Sequence, residues 1–353
     1  GTINSPIENL TIKVSERPLN TLNIGGGLNS VYGVHVFGEA VDKSLFKDGR
    51  SIALRGDTYF DTDGSGDVTR GFASLAYTTP EVLKTPFSWI EDVRFQKLTT
   101  ITQEFDVDRS SLNSYFYRTF SDNFTLNFGH TISNDDLRNV SEDAILSDLD
   151  IGQVKLSFLS GTLTYDQRDD PLNPRSGYYI SLDGKYFDET IESDANFYSM
   201  GFRFSYLQPL TNRLTLALGS RYGSSWTFGD TTNVPITQRF YLGGRNSVRG
   251  FRENSLGPKG SQGSVIGGDI TQSNSVEFQY LVANRTSVHL FMDSGNVFLR
   301  DLDPKLNHQR LSTGVGVTFL SPIGPIGFDV GHPLDEKPGE PSLRFHFSIG
   351  TVF

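Results

Sequence analysis

The chain has 353 residues, with 31 Lys+Arg against 41 Asp+Glu for a net charge of −10, and it carries 36 glycines, 27 phenylalanines, 14 tyrosines and no cysteine. The acidic balance and the lack of a basic stripe exclude nucleic acid as a main partner, and zero cysteines exclude disulfides, thiolate chemistry and Cys-ligated zinc. No run approaches the ~18 apolar residues of a spanning helix, whereas glycine and aromatics at the expense of methionine suit strands, tight turns and aromatic girdles, so one large all-β domain is expected.

Residues 1–18 lack a strand-like alternation except at Ile7 to Val14, which reads as one strand of a separate upstream unit ending at Pro18. The start at Gly1 without a methionine reads as a mature or shortened chain. From residue 19 to 353, period-2 alternation predicts about sixteen strands, near 21–29, 31–43, 50–61, 68–78, 87–103, 109–119, 123–132, 152–166, 177–188, 196–207, 213–226, 270–283, 286–299, 310–320, 325–332 and 342–353. Tyr198, Met200, Phe202, Phe204 and Tyr206 alternate with Ser199, Gly201, Arg203 and Ser205, and Val276, Phe278, Tyr280 and Val282 alternate with Glu277 and Gln279. Alternation alone fits a soluble sandwich or a membrane barrel with the faces inverted. The even strand count favours the barrel, as do short turns such as Ser121-Asp122-Asn123 and Ala283-Asn284-Arg285 alternating with long polar connections at 133–151, 224–269 and 300–309. Between Phe158 and Leu163 the apolar parity reverses, which predicts a β-bulge near Ser160-Gly161.

Within the connection 224–269, the run Arg239 to Phe251 is too glycine-rich for a core strand and too apolar for a freely solvated loop, so it is expected to fold back into the barrel lumen. A guanidinium stays charged, and Arg249 buried there needs carboxylates. If Val288, Leu290 and Met292 face lipid, Asp293 faces inward on one strand, and Glu277 does so on its neighbour by the same parity, so both are candidate acceptors for Arg249. Gly243, Gly244 and Gly250 suit positive φ or close approach to the wall. Closure requires the first strand to pair with the last. The run Asn23, Ile24, Gly25, Gly26, Gly27 is weakened by its three glycines, so this seam is a place where the sheet could part and offer edges to another chain. On the closing strand Phe345, Phe347, Ile349 and Phe353 share the lipid face.

Other motifs carry no chemistry. Asp61 to Asp67 looks like the start of a calcium loop, but its twelfth position is Phe72, so a solvated hairpin loop is expected. The six histidines lack metal-ligand spacing, there is no G-x-S-x-G elbow, and Gly25 to Gly27 opens no helix; no metal, cofactor or catalytic residue is expected.

Four segments together resemble the BamA-type outer-membrane assembly and translocation superfamily, barrels preceded by periplasmic POTRA repeats. They are Val248-Arg249-Gly250-Phe251 with its lead-in Phe240 to Ser247, Phe291-Met292-Asp293-Ser294-Gly295, the turn Tyr165 to Tyr178, and the closing strand Phe345 to Phe353, spread in order over most of the chain. The resemblance implies a sixteen-stranded transmembrane barrel in the bacterial outer membrane, with Arg249 anchoring its loop in the lumen and 1–18 as the remnant of the last POTRA domain. It further implies a lateral gate between first and last strands. The implied activity is non-enzymatic assembly and insertion of β-barrel proteins. The implied partners are nascent outer-membrane β-barrel polypeptides, periplasmic chaperones, accessory lipoproteins, and membrane lipid or lipopolysaccharide. A TamA-like autotransporter role, single-partner secretion and, from another class, a passive porin are the alternatives.

Overall fold

The computed structural model describes residues 19–44, 48–60, 68–99, 105–171, 173–300, 308–321 and 324–349; the segment 1–18, the 61–67 loop and Phe353 lie outside them. Sixteen strands follow in chain order: β1 (Asn20–Asn29), β2 (Gly33–Asp42), β3 (Ser51–Phe60), β4 (Val68–Thr79), β5 (Ser88–Thr99), β6 (Asp106–Ser121), β7 (Phe124–Arg138), β8 (Gly152–Asp166), β9 (Gly177–Phe187), β10 (Phe197–Pro209), β11 (Leu214–Thr227), β12 (Ile270–Ala283), β13 (Thr286–Phe298), β14 (Arg310–Ser321), β15 (Gly324–Pro333) and β16 (Arg344–Ile349). Each pairs antiparallel with its chain neighbours, and β1 pairs with β16, so the sheet closes on itself. Closure leaves backbone N–H and C=O groups paired around the wall, the condition for strands to cross a bilayer.

Register carries the alternation from strand to strand. On the outer face Phe278 opposes Leu290 and Val276 opposes Met292, while Glu277 opposes Phe291 on the inner face. Leu290 is 54% exposed and Asp293 fully buried, so the apolar row points out and the polar row in. The strand limits agree with the alternation within a few residues, except that β7 runs on to Arg138, six residues past the predicted end at 132. Its connection to β8 is accordingly 139–151, and the longest connection is 228–269.

The predicted bulge near Ser160-Gly161 is absent. The β7 and β8 ladder runs without a register shift from Leu137↔Gly152 to Phe124↔Tyr165, and the β8 and β9 ladder is equally continuous. The parity reversal has another cause. Val154 and Leu156 point inward and are buried with Val107, Leu137, Phe187, Phe197, Val234 and Ile236, whereas Leu159 and Leu163 point outward. The inner wall is therefore apolar at the rim that carries the long connections. There the 139–151 and 228–269 connections meet it, and Phe187 stacks on Phe197 with ring centroids 3.9 Å apart.

The opposite rim carries connections that run from two residues after β6 and β12 to ten after β8. In the turn after β8, Asp169 accepts the backbone N–H groups of Asp170, Arg175 and Ser176 at 3.0, 2.9 and 3.1 Å, which fixes a tight reversal.

Candidate functional site

The 228–269 connection is a structured excursion. Isolated bridges pair Phe240 with Gly268, Leu242 with Leu256 and Lys259 with Val265. Its reversal passes through Gly243 and Gly244 at φ of 113° and 92°, a region side chains rarely adopt. Gly250 serves differently. It has no positive φ, and a Cβ there would lie 2.5 Å from Ser312 Cβ and 2.9 Å from the Pro333 backbone nitrogen. On the facing strand a Cβ at Gly331 would strike the Arg249 carbonyl. Paired glycines thus let loop backbone lie directly on wall backbone, while Val248 and Phe251 bury on either side against Leu242, Leu256 and Val297.

That approach delivers Arg249 to a cluster of inward-facing acceptors. Its Nε and Nη2 donate to the two Asp293 carboxylate oxygens at 2.8 Å each, and its Nη1 donates to Glu277 Oε2 at 2.7 Å. Ser275 Oγ accepts a further bond at 3.2 Å, and Asp293 also accepts the Arg249 backbone N–H at 3.1 Å. The guanidinium carbon sits 3.4 Å from the Phe291 ring centroid. The Arg249 carbonyl is equally engaged, for His346 Nε2 of β16 lies 2.9 Å from it and must be the donor, since a carbonyl can only accept. A third carboxylate, Asp329, lies 2.6 Å from His289 Nε2 and accepts from Arg245 Nε at 3.1 Å. The loop is thereby bonded to β12, β13, β15 and β16.

A second knot escapes sequence reasoning. Arg239 and Asp150 form an ion pair whose side chains are both fully buried. Arg239 also donates to the carbonyls of Val234, Ala144 and Ile266 at 2.9, 3.1 and 3.2 Å, while Asp150 accepts the backbone N–H groups of Ile236 and Leu146 at 2.7 and 2.8 Å. This ties the 228–269 connection to the 139–151 connection. The two residues lie 89 positions apart on connections without period, so no local spacing announces the pair.

At the seam, the described partners of β1 on β16 are Leu28 with Ile349 and Asn29 with Ser348, joined by the Ser30 N–H bond to the Phe347 carbonyl at 3.1 Å. On its other side β1 has ten partners in β2. Asn23 donates to Glu39 at 3.2 Å, Ile24 points outward at 74% exposure, and the Phe37 ring of β2 covers the place where Gly25 lacks a side chain. Gly26 lies close to the His35 carbonyl, and Gly27 opposes His35. Phe345 is outward and exposed, and Phe347 and Ile349 are half-buried on the same face.

Bonded acceptors and donors of this kind hold geometry. Among the described residues no group of three or more His, Cys, Asp or Glu is arranged to hold a metal ion.

The chain matches the Omp85 superfamily domain over residues 45–353. It is 25% identical to the outer membrane protein assembly factor BamA of Neisseria meningitidis serogroup B over 98% of this chain and 48% of that protein. It is 26% identical to BamA of Nitratidesulfovibrio vulgaris over 98% of this chain and 43% of that protein. The chain thus spans about half the length of the curated relatives it matches. Among solved structures, BamA from Haemophilus ducreyi lacking POTRA domains 1–3 superposes with a TM-score of 0.83 at 21% identity, covering 96% of this chain and 71% of that one.

Removing Arg249 strands two carboxylates on the inner wall. Arg249→Ala is expected to lower unfolding stability in detergent by about 3–5 kcal/mol, with Arg249→Lys recovering only part because an ammonium cannot fork across both Asp293 oxygens. Denaturant unfolding followed by heat-modifiable migration reads both, and wild-type stability in the alanine variant would contradict the account.

Glu253 gives a pH signature. Burial in the loop pushes its carboxyl from 4.5 up to about 7, against the Arg245 backbone N–H and the Arg70 charge, which act the other way. Between these two values the folded state holds a proton that the unfolded chain has released, so stability falls as pH rises through the window. Glu253→Gln should flatten that slope and be the more stable form at pH 8, as unfolding midpoints across pH will show.

Proposed function

The chain belongs to the Omp85 superfamily and is a bacterial outer-membrane β-barrel, and from that premise we infer that it assembles and inserts other β-barrel polypeptides into the outer membrane through the seam between β1 and β16. The observation that carries the reading is β1 itself, where Gly25, Gly26 and Gly27 stand in succession opposite Phe37, Val36 and His35 of β2 and bring no side chains to hold a neighbouring strand. A sheet opens most easily where its strands pack least, and an opened β1 edge presents a row of backbone donors and acceptors to an incoming strand.

The loop anchor supplies the complementary half of the mechanism. Arg249, with Val248, Gly250 and Phe251 around it, fastens the long connection to Glu277 and Asp293, and its carbonyl to His346 on β16 itself. The wall from β12 to β16 is held in shape by the loop, so movement concentrates on the β1 side. No covalent step is involved. The free energy comes from the substrate, whose strands satisfy their backbone bonds and bury apolar faces in lipid as they pair. The partners of this reaction are nascent outer-membrane barrels, delivered by periplasmic chaperones and accessory lipoproteins, with membrane lipid as the receiving phase. The BamA relatives, named as outer-membrane protein assembly factors, support this reading over single-partner secretion.

Depleting the full-length protein in its host and quantifying the outer-membrane proteome tests it. Loss of many unrelated barrels is the expected result. Loss of one exported protein alone, or an unchanged proteome, would overturn general assembly.

A further inference from the structure

At the rim of long connections a cavity of about 290 Å³ opens between the tip of the 228–269 connection and the 334–343 connection. Arg252 and Lys259 line it from the first, and Arg344 from the opening residue of β16. Two carboxylates share the space. Glu340 accepts from Arg310 Nη1 and Nη2 at 3.0 and 2.6 Å, and Glu253 is half-buried.

Among the described residues the three cations have no comparable partner. Arg344 Nε is buried without an acceptor, as are the Nε atoms of Arg94 and Arg300. Those two differ, because Arg94 lies 3.2 Å from Asp92 Oδ2 and Arg300 donates through Nη2 to Ser224 at 2.8 Å. Arg344 makes no ion pair or hydrogen bond to a side chain among the described residues. A buried guanidinium N–H without an acceptor is rare in a native fold. Arg252 and Lys259 are exposed at the same cavity, so an anion entering it meets three like charges. A carboxylate brings two oxygens and one charge. A phosphate brings three or more oxygens and up to two charges, which suits two planar guanidinium forks and one ammonium.

We propose that Arg252, Lys259 and Arg344 form a phosphate-binding site at the long-connection rim, next to the β16 side of the seam, that takes the phosphate of a lipid headgroup or a free phosphate. The site is independent of the assembly reading. Its charge arrangement and its place at the rim serve either source, and the test separates them.

The refolded protein in an uncharged detergent is titrated with inorganic pyrophosphate by calorimetry. In parallel, the same protein in phosphatidylcholine nanodiscs doped with phosphatidic acid is released into native mass spectrometry to count retained phosphatidic acid. Wild-type protein should bind at least one probe, with affinity or retention about tenfold lower in Arg252→Gln/Arg344→Gln and severalfold lower in Lys259→Gln. Binding of both probes assigns the site to the phosphate group itself, and retention of phosphatidic acid alone assigns it to a headgroup held at the membrane surface. Absence of binding by either probe, or equal binding by wild-type and variants, overturns the proposal. Should the double variant fail to fold, the single variant Arg252→Gln, at an exposed position, carries the same comparison.

Discussion

A guanidinium cannot shed its proton, so wherever the Arg249 side chain is shut away from water the fold must bring carboxylates to it. The rest of the inner architecture follows from that demand. Asp293 meets it bidentately and Glu277 from the adjacent strand, and a third acid, Asp329, stands behind them with His289 and Arg245. For the loop to come so close, side chains must be missing on both surfaces, which is what Gly250 and Gly331 provide. Anchored at that point, the connection extends to a second closed pair, Arg239 with Asp150, and so joins the wall of β12 to β16 to the connection between β7 and β8.

Strand by strand, the barrel is legible in the sequence because period-2 alternation survives any tertiary detail: a strand with lipid outside and a lumen inside must alternate. The same parity picks out Glu277 and Asp293 as inward. It misleads at β8, where apolar does not mean outward; Val154 and Leu156 are apolar and inward because Ala144, Val234 and Ile236 of the two long connections pack against them at that rim. A bulge follows from the sequence only if the interior is uniformly polar, which it is not. The end of β7 is hidden for a similar reason, since its last residues, Ser133 to Arg138, include Asn and Asp residues that resemble a loop, yet they stay in the ladder and Asp135 accepts from Arg109 of β6.

Contact between distant irregular segments leaves no trace in the sequence. Arg239 and Asp150 carry no period, and their pairing is decided only when two connections fold over the same rim. His346 is visible as an inward residue of the closing strand, yet its bond to the Arg249 carbonyl depends on where the loop lies. The three loop glycines look alike in the sequence but differ in what they do, for Gly243 and Gly244 turn the chain whereas Gly250 makes room.

The functional account rests on a division of labour between a wall braced by the loop and a seam whose β1 side carries three successive glycines. The chain has no cysteine, so a pair introduced at the register partners Leu28 and Ile349 would be the only thiols within it. Cross-strand partners have Cα atoms about 4.5–5.5 Å apart, within disulfide reach. The most direct measurement is the rate at which liposomes carrying the full-length Leu28→Cys/Ile349→Cys protein fold an added, urea-unfolded outer-membrane barrel, before and after reduction. The account predicts that the oxidised protein loses the acceleration and regains it on reduction. An oxidised seam that assembles substrate at the wild-type rate would contradict it.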